Sequence, residues 1–370
     1  MRDTNIIVGA GISGLVMAER LSSIGEKVLI IERRNHIGGN CYDYDCDGIL
    51  VHRYGSHIFH TNDLNVWQYV NKWTSFYPYI HEVRAFVDGA FIPVPFNLNS
   101  LYKIFPNKMA KTLESALLKH FDYGKKVSIL TFKTHKELAF LSDYIYEKIF
   151  LNYTKKQWCC GVEELDSSVF DRVPIAISKD NRYFSDIYQG IPMFGYTKMC
   201  EKMIENKLIE LRLNCEWSEI CDKAKEAKRV FFSGAIDEYF NYELGELSYR
   251  SLAFEFITLQ KPYFQKRSVI NYPNNYDFTR IAEYKHFLDA QTSHTIISFE
   301  YPKAYKAGLE RYYPLPDAKN ASLYHRYKQK ADSLKNVYFI GRLGQYRYYD
   351  MDKAIKQSLA LFEAIANKIL

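Results

Sequence analysis

Residues 5–40, NIIVGAGISGLVMAERLSSIGEKVLIIERRNHIGGN, decide the fold. The apolar run Ile6-Ile7-Val8 leads straight into Gly9, Gly11 and Gly14, and apolar residues then recur with helical spacing at Ile12, Leu15, Val16 and Leu21. Strand, tight turn and helix in that order predict a dinucleotide site. One glycine allows the sharp turn, one lets the backbone approach a pyrophosphate, and one lets the helix press on the strand, while the first helical N–H groups face the phosphates. A second strand, KVLIIE, ends at Glu32, about 20 residues on, where a carboxylate accepts hydrogen bonds from the adenosine ribose.

The doublet Gly38-Gly39 follows within one turn of Glu32. This two-part pattern resembles the fingerprint of FAD proteins more than that of nicotinamide enzymes, so the predicted cofactor is FAD. Its candidate contacts are Gly9, Gly11, Ser13, Gly14, Glu32, Arg33, Gly39 and Asn40.

Outward from this stretch, 370 residues allow two or three domains. A hydrophobic content of 47% and a mean hydropathy of −0.30 describe an ordinary globular chain. No run approaches ~18 apolar residues, and no basic leader precedes the first strand. The expectation is a cytoplasmic protein without a membrane span. Seven cysteines without a CxxC pair predict reduced thiols and no zinc site. The net charge of +6 is scattered, which argues against nucleic acid and suits a small polyanionic ligand. Thirty-one tyrosines add flat faces with polar tips, suited to stacking a base and bonding a sugar.

Further along, FYPYIHEVRAFVDGAFIPVPF predicts strands joined at Asp88-Gly89, a hairpin signal. KMAKTLESALLKHF and ELAFLSDYIYEKIFLNY read as long helices, and strand alternation returns in SYRSLAFEFITLQ, SVINYP and HTIISFEY. KRVFFSGA at 228–235 and NVYFIGRLGQYRYYDMD at 336–352 are expected to rejoin the nucleotide domain. The fold class is therefore α/β: an FAD-binding Rossmann-like domain with a helical insertion and an antiparallel β-sheet domain. The expected boundaries are 1–75, 191–247 and 316–370 for the first, 98–182 for the second, and 76–97, 183–190 and 248–315 for the third. Asp350 stands at the N-cap of a final helix beginning at Met351, whose positive end would favour the charge of a reduced flavin.

Separated motifs over nearly the whole chain carry a resemblance. GAGISG at 9–14, RYGSHIFHT at 53–61, NYTKKQW at 152–158, SSVFDRVPI at 167–175, NRYF at 181–184, YRSLAFE at 249–255, FTRIAEYKHF at 278–287, RYYP at 311–314 and GRLGQYRYYDMD at 341–352 are similar to those of the UDP-galactopyranose mutase family. The resemblance implies non-covalent FAD that works when reduced, a homodimer, a UDP-sugar substrate, and an external reductant such as NADPH or NADH. It also implies a redox-neutral ring contraction of UDP-galactopyranose to UDP-galactofuranose, with the N-acetyl sugar as a further candidate, through a flavin N5–sugar adduct. The furanose would serve a cell-surface polysaccharide.

Carried onto matching positions, Arg172 and Arg280 resemble the arginines that clamp the diphosphate, a task for permanently charged bidentate donors. Tyr153, Trp158, Tyr183, Phe184 and Asn271 resemble contacts to uridine and its phosphates, and Tyr313 and Tyr348 phenols that bond the diphosphate. His57, His60, Arg342, Asp350 and Met351 match positions near the flavin, with His60 grouped with the arginines as catalytic. Gly161–Pro174 resembles a mobile lid. The chain departs from the family pattern at His81 (commonly asparagine), Cys159 (glycine) and Ser56 (proline), which bears on sugar preference and lid geometry. Two other classes share the N-terminal fingerprint: an amine-oxidase-type FAD oxidoreductase and a non-catalytic binding protein like the GDP-dissociation inhibitors. The paired arginines and the intact glycine motif with Glu32 oppose them.

Overall fold

The computed structural model describes residues 2–132, 134–158 and 174–367. The chain divides into two compact units, the first formed by Met1–Tyr79, Asp186–Tyr249 and Leu309–Leu370, the second by Ile80–Ser185 and Arg250–Gly308. The helical insertion and the large sheet expected as separate domains fall largely within the second unit.

The first unit is built on a five-stranded parallel sheet in the order Ile209–Arg212, Lys27–Ile31, Thr4–Val8, Arg229–Phe232, Val337–Phe339. Both faces are covered, which is why these strands read as unbroken apolar runs rather than alternating ones. Ile7, Ile30 and Phe231 enter one core with Leu15, Val16 and Phe362. Ile6, Leu29, Val230 and Phe232 enter the other with Ile220 and Trp217. Helix Ile12–Ser23 lies against the final helix Met351–Ala366 in the first of these cores. Truncating a fully buried side chain such as Ile7 or Phe231 to alanine removes about 2–5 kcal/mol. The segments expected to rejoin from 228 and 336 do so side by side, Val230 opposite Val337.

In the second unit Val83–Val87 and Ala90–Val94 form the hairpin read at Asp88-Gly89, and both turn residues have positive φ, 47° and 81°. That geometry matches the right-handed strand twist. From this hairpin the sheet continues through Val269–Asn271, Arg280–Glu283, Thr295–Ala304 and Tyr249–Leu259. It is not wholly antiparallel: Val269–Asn271 runs parallel to Val83–Val87. A parallel neighbour requires a long crossover, and the residues between these strands provide one. The helical pattern of ELAFLSDYIYEKIFLNY is also not one helix. It divides into Ala139–Ile145, a π-helical stretch Tyr146–Leu151, and Asn152–Trp158. Among the described residues no helix is long and apolar enough to cross a membrane.

Candidate functional site

Of the residues assigned to the cofactor, Gly9, Gly11, Ser13, Glu32, Arg33, Gly39, Asn40, His57, Arg342, Asp350 and Met351 line one cavity of the first unit. Gly14 lies beneath its wall. A Cβ on Gly14 would meet the carbonyl oxygen of Gly9 at 2.1 Å and Ile7 Cγ2 at 3.0 Å, so its hydrogen is what lets helix Ile12–Ser23 press on the first strand. Gly9 holds φ +98°, and a Cβ there would lie 2.1 Å from Ser233 Oγ. Gly39 packs against Gly11, with 2.8 Å between its ideal Cβ and the Gly11 Cα, and Gly38 donates its N–H to Ala10 O at 2.8 Å. The two glycine motifs thus form one contact.

Gly11 differs from these. A Cβ on it meets nothing closer than 3.8 Å, so its missing side chain leaves open space instead of relieving a clash. Helix Ile12–Ser23 begins there without a side-chain cap, and helix Met351–Ala366 begins at Asp350 without one as well. Asp350 occupies the predicted N-cap position, yet its carboxylate makes no cap bond, which corrects the capping role read from sequence. Two uncapped helix N-termini on one cavity bring free N–H groups and two positive dipole ends to the same space, an arrangement suited to a dianionic pyrophosphate and an anionic ring. The residues present fit a dinucleotide.

Glu32 is buried, and its carboxylate accepts the N–H groups of Ala10 (2.8 Å) and Arg34 (2.9 Å), which ties the glycine turn to the end of the second strand. Arg33, the residue singled out by sequence, donates to Glu310 at 3.0 Å from a partly exposed position. Arg34 turns in: its side chain is 13% exposed against 37% for Arg33. Arg34 donates to Glu310 at 2.6 Å and to Asn40 Oδ1 at 3.0 Å and lies 4.3 Å over the Tyr54 ring. Sequence reading missed Arg34, Glu310 and Arg311, which all line the cavity. Arg34 carried a weak signal, its place two residues beyond the strand end, whereas Glu310 is 276 positions from its partner.

His57 lines the cavity and gives Nδ1–H to Gly55 O at 2.7 Å, leaving Nε2 an acceptor. Burial pushes its pKa down to about 4 and that of His52 to about 3, so both rings are neutral at ordinary pH. His52 Nδ1 accepts the His57 backbone N–H at 3.0 Å. His60 is not on the cavity wall; its Nδ1 pairs with Asp186 at 2.8 Å. Arg342 donates to Tyr312 O (3.1 Å) and Tyr349 O (2.9 Å) and lies 5.2 and 4.9 Å from the rings of Tyr313 and Tyr348. It thereby sets the two phenols side by side, 5.0 Å between ring centres.

The remaining substrate candidates belong to the second unit. Asn271, Arg280 and Glu300 stand opposite one another on three adjacent strands. Arg280 donates Nη2–H to Tyr153 OH at 2.6 Å, and its Nε is 3.4 Å from Glu300. Asn271 Oδ1 is buried beside them without a hydrogen-bond partner among the described residues. Tyr183 donates its N–H to His81 O at 2.8 Å, and the His81 ring stacks on Phe184 at 5.8 Å. Trp158 ends helix Asn152–Trp158, its side chain being outside the described part. Arg172, Cys159 and nearly all of the expected lid lie outside the described residues.

Parallel sheet, glycine turn and converging helix ends define a dinucleotide-binding protein of Rossmann type, and residues 7–73 match the profile of the NAD(P)-binding Rossmann-like domain. Residues 148–348 match the profile of the UDP-galactopyranose mutase family. The chain is 37% identical over 364 residues to a probable UDP-galactopyranose mutase of Klebsiella pneumoniae, covering 97% of this chain and 94% of that one. It is 34% identical over 362 residues to a dTDP-fucopyranose mutase of Escherichia coli, covering 96% of each. In fold it is similar to a crystal structure of reduced UDP-galactopyranose mutase, with a TM-score of 0.72 at 14% identity, covering 99% of this chain and 94% of that one. The chain belongs to the UDP-galactopyranose mutase family, and it is an enzyme.

Proposed function

We propose that the chain interconverts UDP-galactopyranose and UDP-galactofuranose without net redox change, with FAD in the cavity of the first unit and active only when reduced. The observation that carries this is the pair of uncapped helix N-termini meeting Gly11, Glu32 and His57 around one cavity in a chain of this family. Bound and reduced, a flavin supplies an electron-rich N5 as nucleophile toward the anomeric carbon. Everything else falls to the protein. The end of helix Met351–Ala366 favours negative charge on the reduced ring, and neutral His57 offers Nε2 as an acceptor without adding a competing charge. Arg280, held by Tyr153 and Glu300, retains the detached diphosphate so that it can return, with Arg172 as its partner from the sequence. Tyr313 and Tyr348, set by Arg342, are phenolic donors suited to a diphosphate. Cytoplasmic location, an NADPH or NADH reductant and a homodimer are part of this proposal.

A deoxyhexose on a thymidine diphosphate is the second reading, favoured by the fucopyranose mutase among the relatives. The test is to reduce the purified yellow protein with dithionite, add UDP-galactose, UDP-N-acetylgalactosamine or dTDP-fucose in separate arms, and separate the products by chromatography. A furanose from UDP-galactose, absent from the oxidised sample, is the expected result. Sustained oxygen uptake on substrate would point to an oxidase, and a colourless preparation to a binding protein.

A further inference from the structure

The loop from Tyr272 to Phe278, which leads from Asn271 to Arg280, is held to one helix seam by contacts that the reaction itself does not require. Lys148, in the π-helical stretch, and Asn152 and Lys156, in the helix after it, stand four residues apart and all meet this loop. Asn274 donates to Lys148 O at 2.8 Å, and Asn152 donates to Asn274 Oδ1 at 2.8 Å. Lys156 goes furthest: its ammonium donates to the carbonyls of Tyr272 (2.5 Å), Tyr276 (3.0 Å) and Phe278 (3.1 Å). Three donors meet three acceptors of a single loop. One turn earlier on the same helix, Tyr153 OH accepts the guanidinium of Arg280. The ends of the loop are also held by other contacts, the Tyr272 N–H on Thr279 O at 2.8 Å and the rings of Tyr272 on Phe86 and Phe278 on Phe299, while at its tip Tyr276 is 41% exposed and Asn275 sits at φ 60°. Partial burial pushes Lys156 down to about 8 despite Asp277, so the ammonium is kept where its charge is disfavoured.

We infer that Lys156 is a positioning residue for Arg280, clamping the 272–278 loop to the helix that carries Tyr153 so that the guanidinium meets the diphosphate in one fixed place. This rests on the diphosphate role given to Arg280 under the proposed function. A neutral side chain of similar length leaves three carbonyls to water and frees the strand entry next to Arg280.

The test is a double-mutant cycle in the full-length reduced holoprotein, with Lys156→Met and Lys156→Arg made in the wild-type and Arg280→Lys backgrounds. Lys156→Met should lower kcat on the order of 10- to 100-fold with flavin content unchanged, and Lys156→Arg, which keeps charge and donors, should recover most of it. In the Arg280→Lys background, Lys156→Met should add less than about a twofold loss. Equal fold-losses in both backgrounds would overturn the inference, because a residue acting only through stability loses activity independently of Arg280. Should Lys156→Met not fold, Lys156→Gln takes its place in the same cycle. Should the wild type yield no furanose, the functional reading fails by itself, and the cycle is read in UDP affinity by calorimetry: coupling there sustains the positioning role, and additivity or no binding ends it.

Discussion

The glycine cradle of the first unit and the arginine cluster of the second are built in opposite ways. In the cradle, Gly9, Gly11, Gly14, Glu32 and Gly39 come from one span of 31 residues, and backbone contacts fix their geometry. In the cluster, Tyr153, Asn271, Arg280 and Glu300 come from one helix and three strands, and side chains hold one another. Backbone geometry fails by steric clash and takes the fold with it. Side-chain geometry fails by misplacement and takes the rate.

Gly14→Ala is expected to have the largest effect. Its Cβ meets a backbone oxygen at 2.1 Å, which no side-chain rotation relieves, so a loss above about 4 kcal/mol is expected. Soluble yield and absorbance near the flavin band measure it. Gly11→Ala provides the contrast, since its nearest neighbour is at 3.8 Å. It should unfold within a degree or two of the wild type yet bind flavin poorly; normal flavin content in this variant would remove the argument that the space beside Gly11 is for the cofactor.

Arg280→Ala comes next. A fixed donor removed from a developing charge costs on the order of 100- to 1000-fold in kcat. Flavin content should not change, because Arg280 lies in the second unit and on no wall of the cradle cavity. A variant that purified without flavin would break the distinction between the two regions.

The same difference explains what could be read in the sequence. The cradle was legible because its residues are contiguous and each glycine has a local reason. Arg34 was passed over for Arg33, since only the folded chain shows that both reach Glu310 and that Arg34 is the more buried of the two. Arg280 and Tyr153 were found through the family's motifs, but their mutual bond and the three carbonyls around Lys156 join positions more than a hundred residues apart. The parallel pairing of Val269–Asn271 with Val83–Val87 was hidden for the same reason: alternation marks a strand and says nothing of its neighbour's direction. His60 shared a motif with His57, yet it lies on strand Phe59–Thr61, where its ring meets Asp186, whereas His57 precedes that strand.

Acid should separate the regions more gently. His52 and His57 are neutral in the fold, with pKa values near 3 and 4, and would titrate near 6.5 in the unfolded chain. Between those values the unfolded state binds more protons, so stability is full above pH 6.5 and falls as pH drops toward 4. The slope is at most about 1.4 kcal/mol per pH unit for each histidine. Melting temperature against pH for wild type and His52→Gln checks this, the variant being expected to show a shallower decline. An unchanged slope would mean that these buried rings do not set the acid limit.

Gly89→Ala has the smallest expected effect and isolates torsion from clash. Gly89 holds φ +81° with nothing within 4 Å of a Cβ, so the substitution meets no atom and costs only the left-handed conformation, about 1 kcal/mol. The same chemical change at Gly14 is several times worse, because there the added carbon has a wall to strike. Gly89 joins Val83–Val87 to the sheet edge, and that strand pairs with Val269–Asn271, which in turn faces Arg280. If the hairpin serves only as an edge, the melting temperature should fall by a few degrees while kcat stays put. A matching fall in kcat would mean that register is transmitted through two strand pairings to the guanidinium, and that the arginine cluster depends on backbone geometry as much as the cradle does.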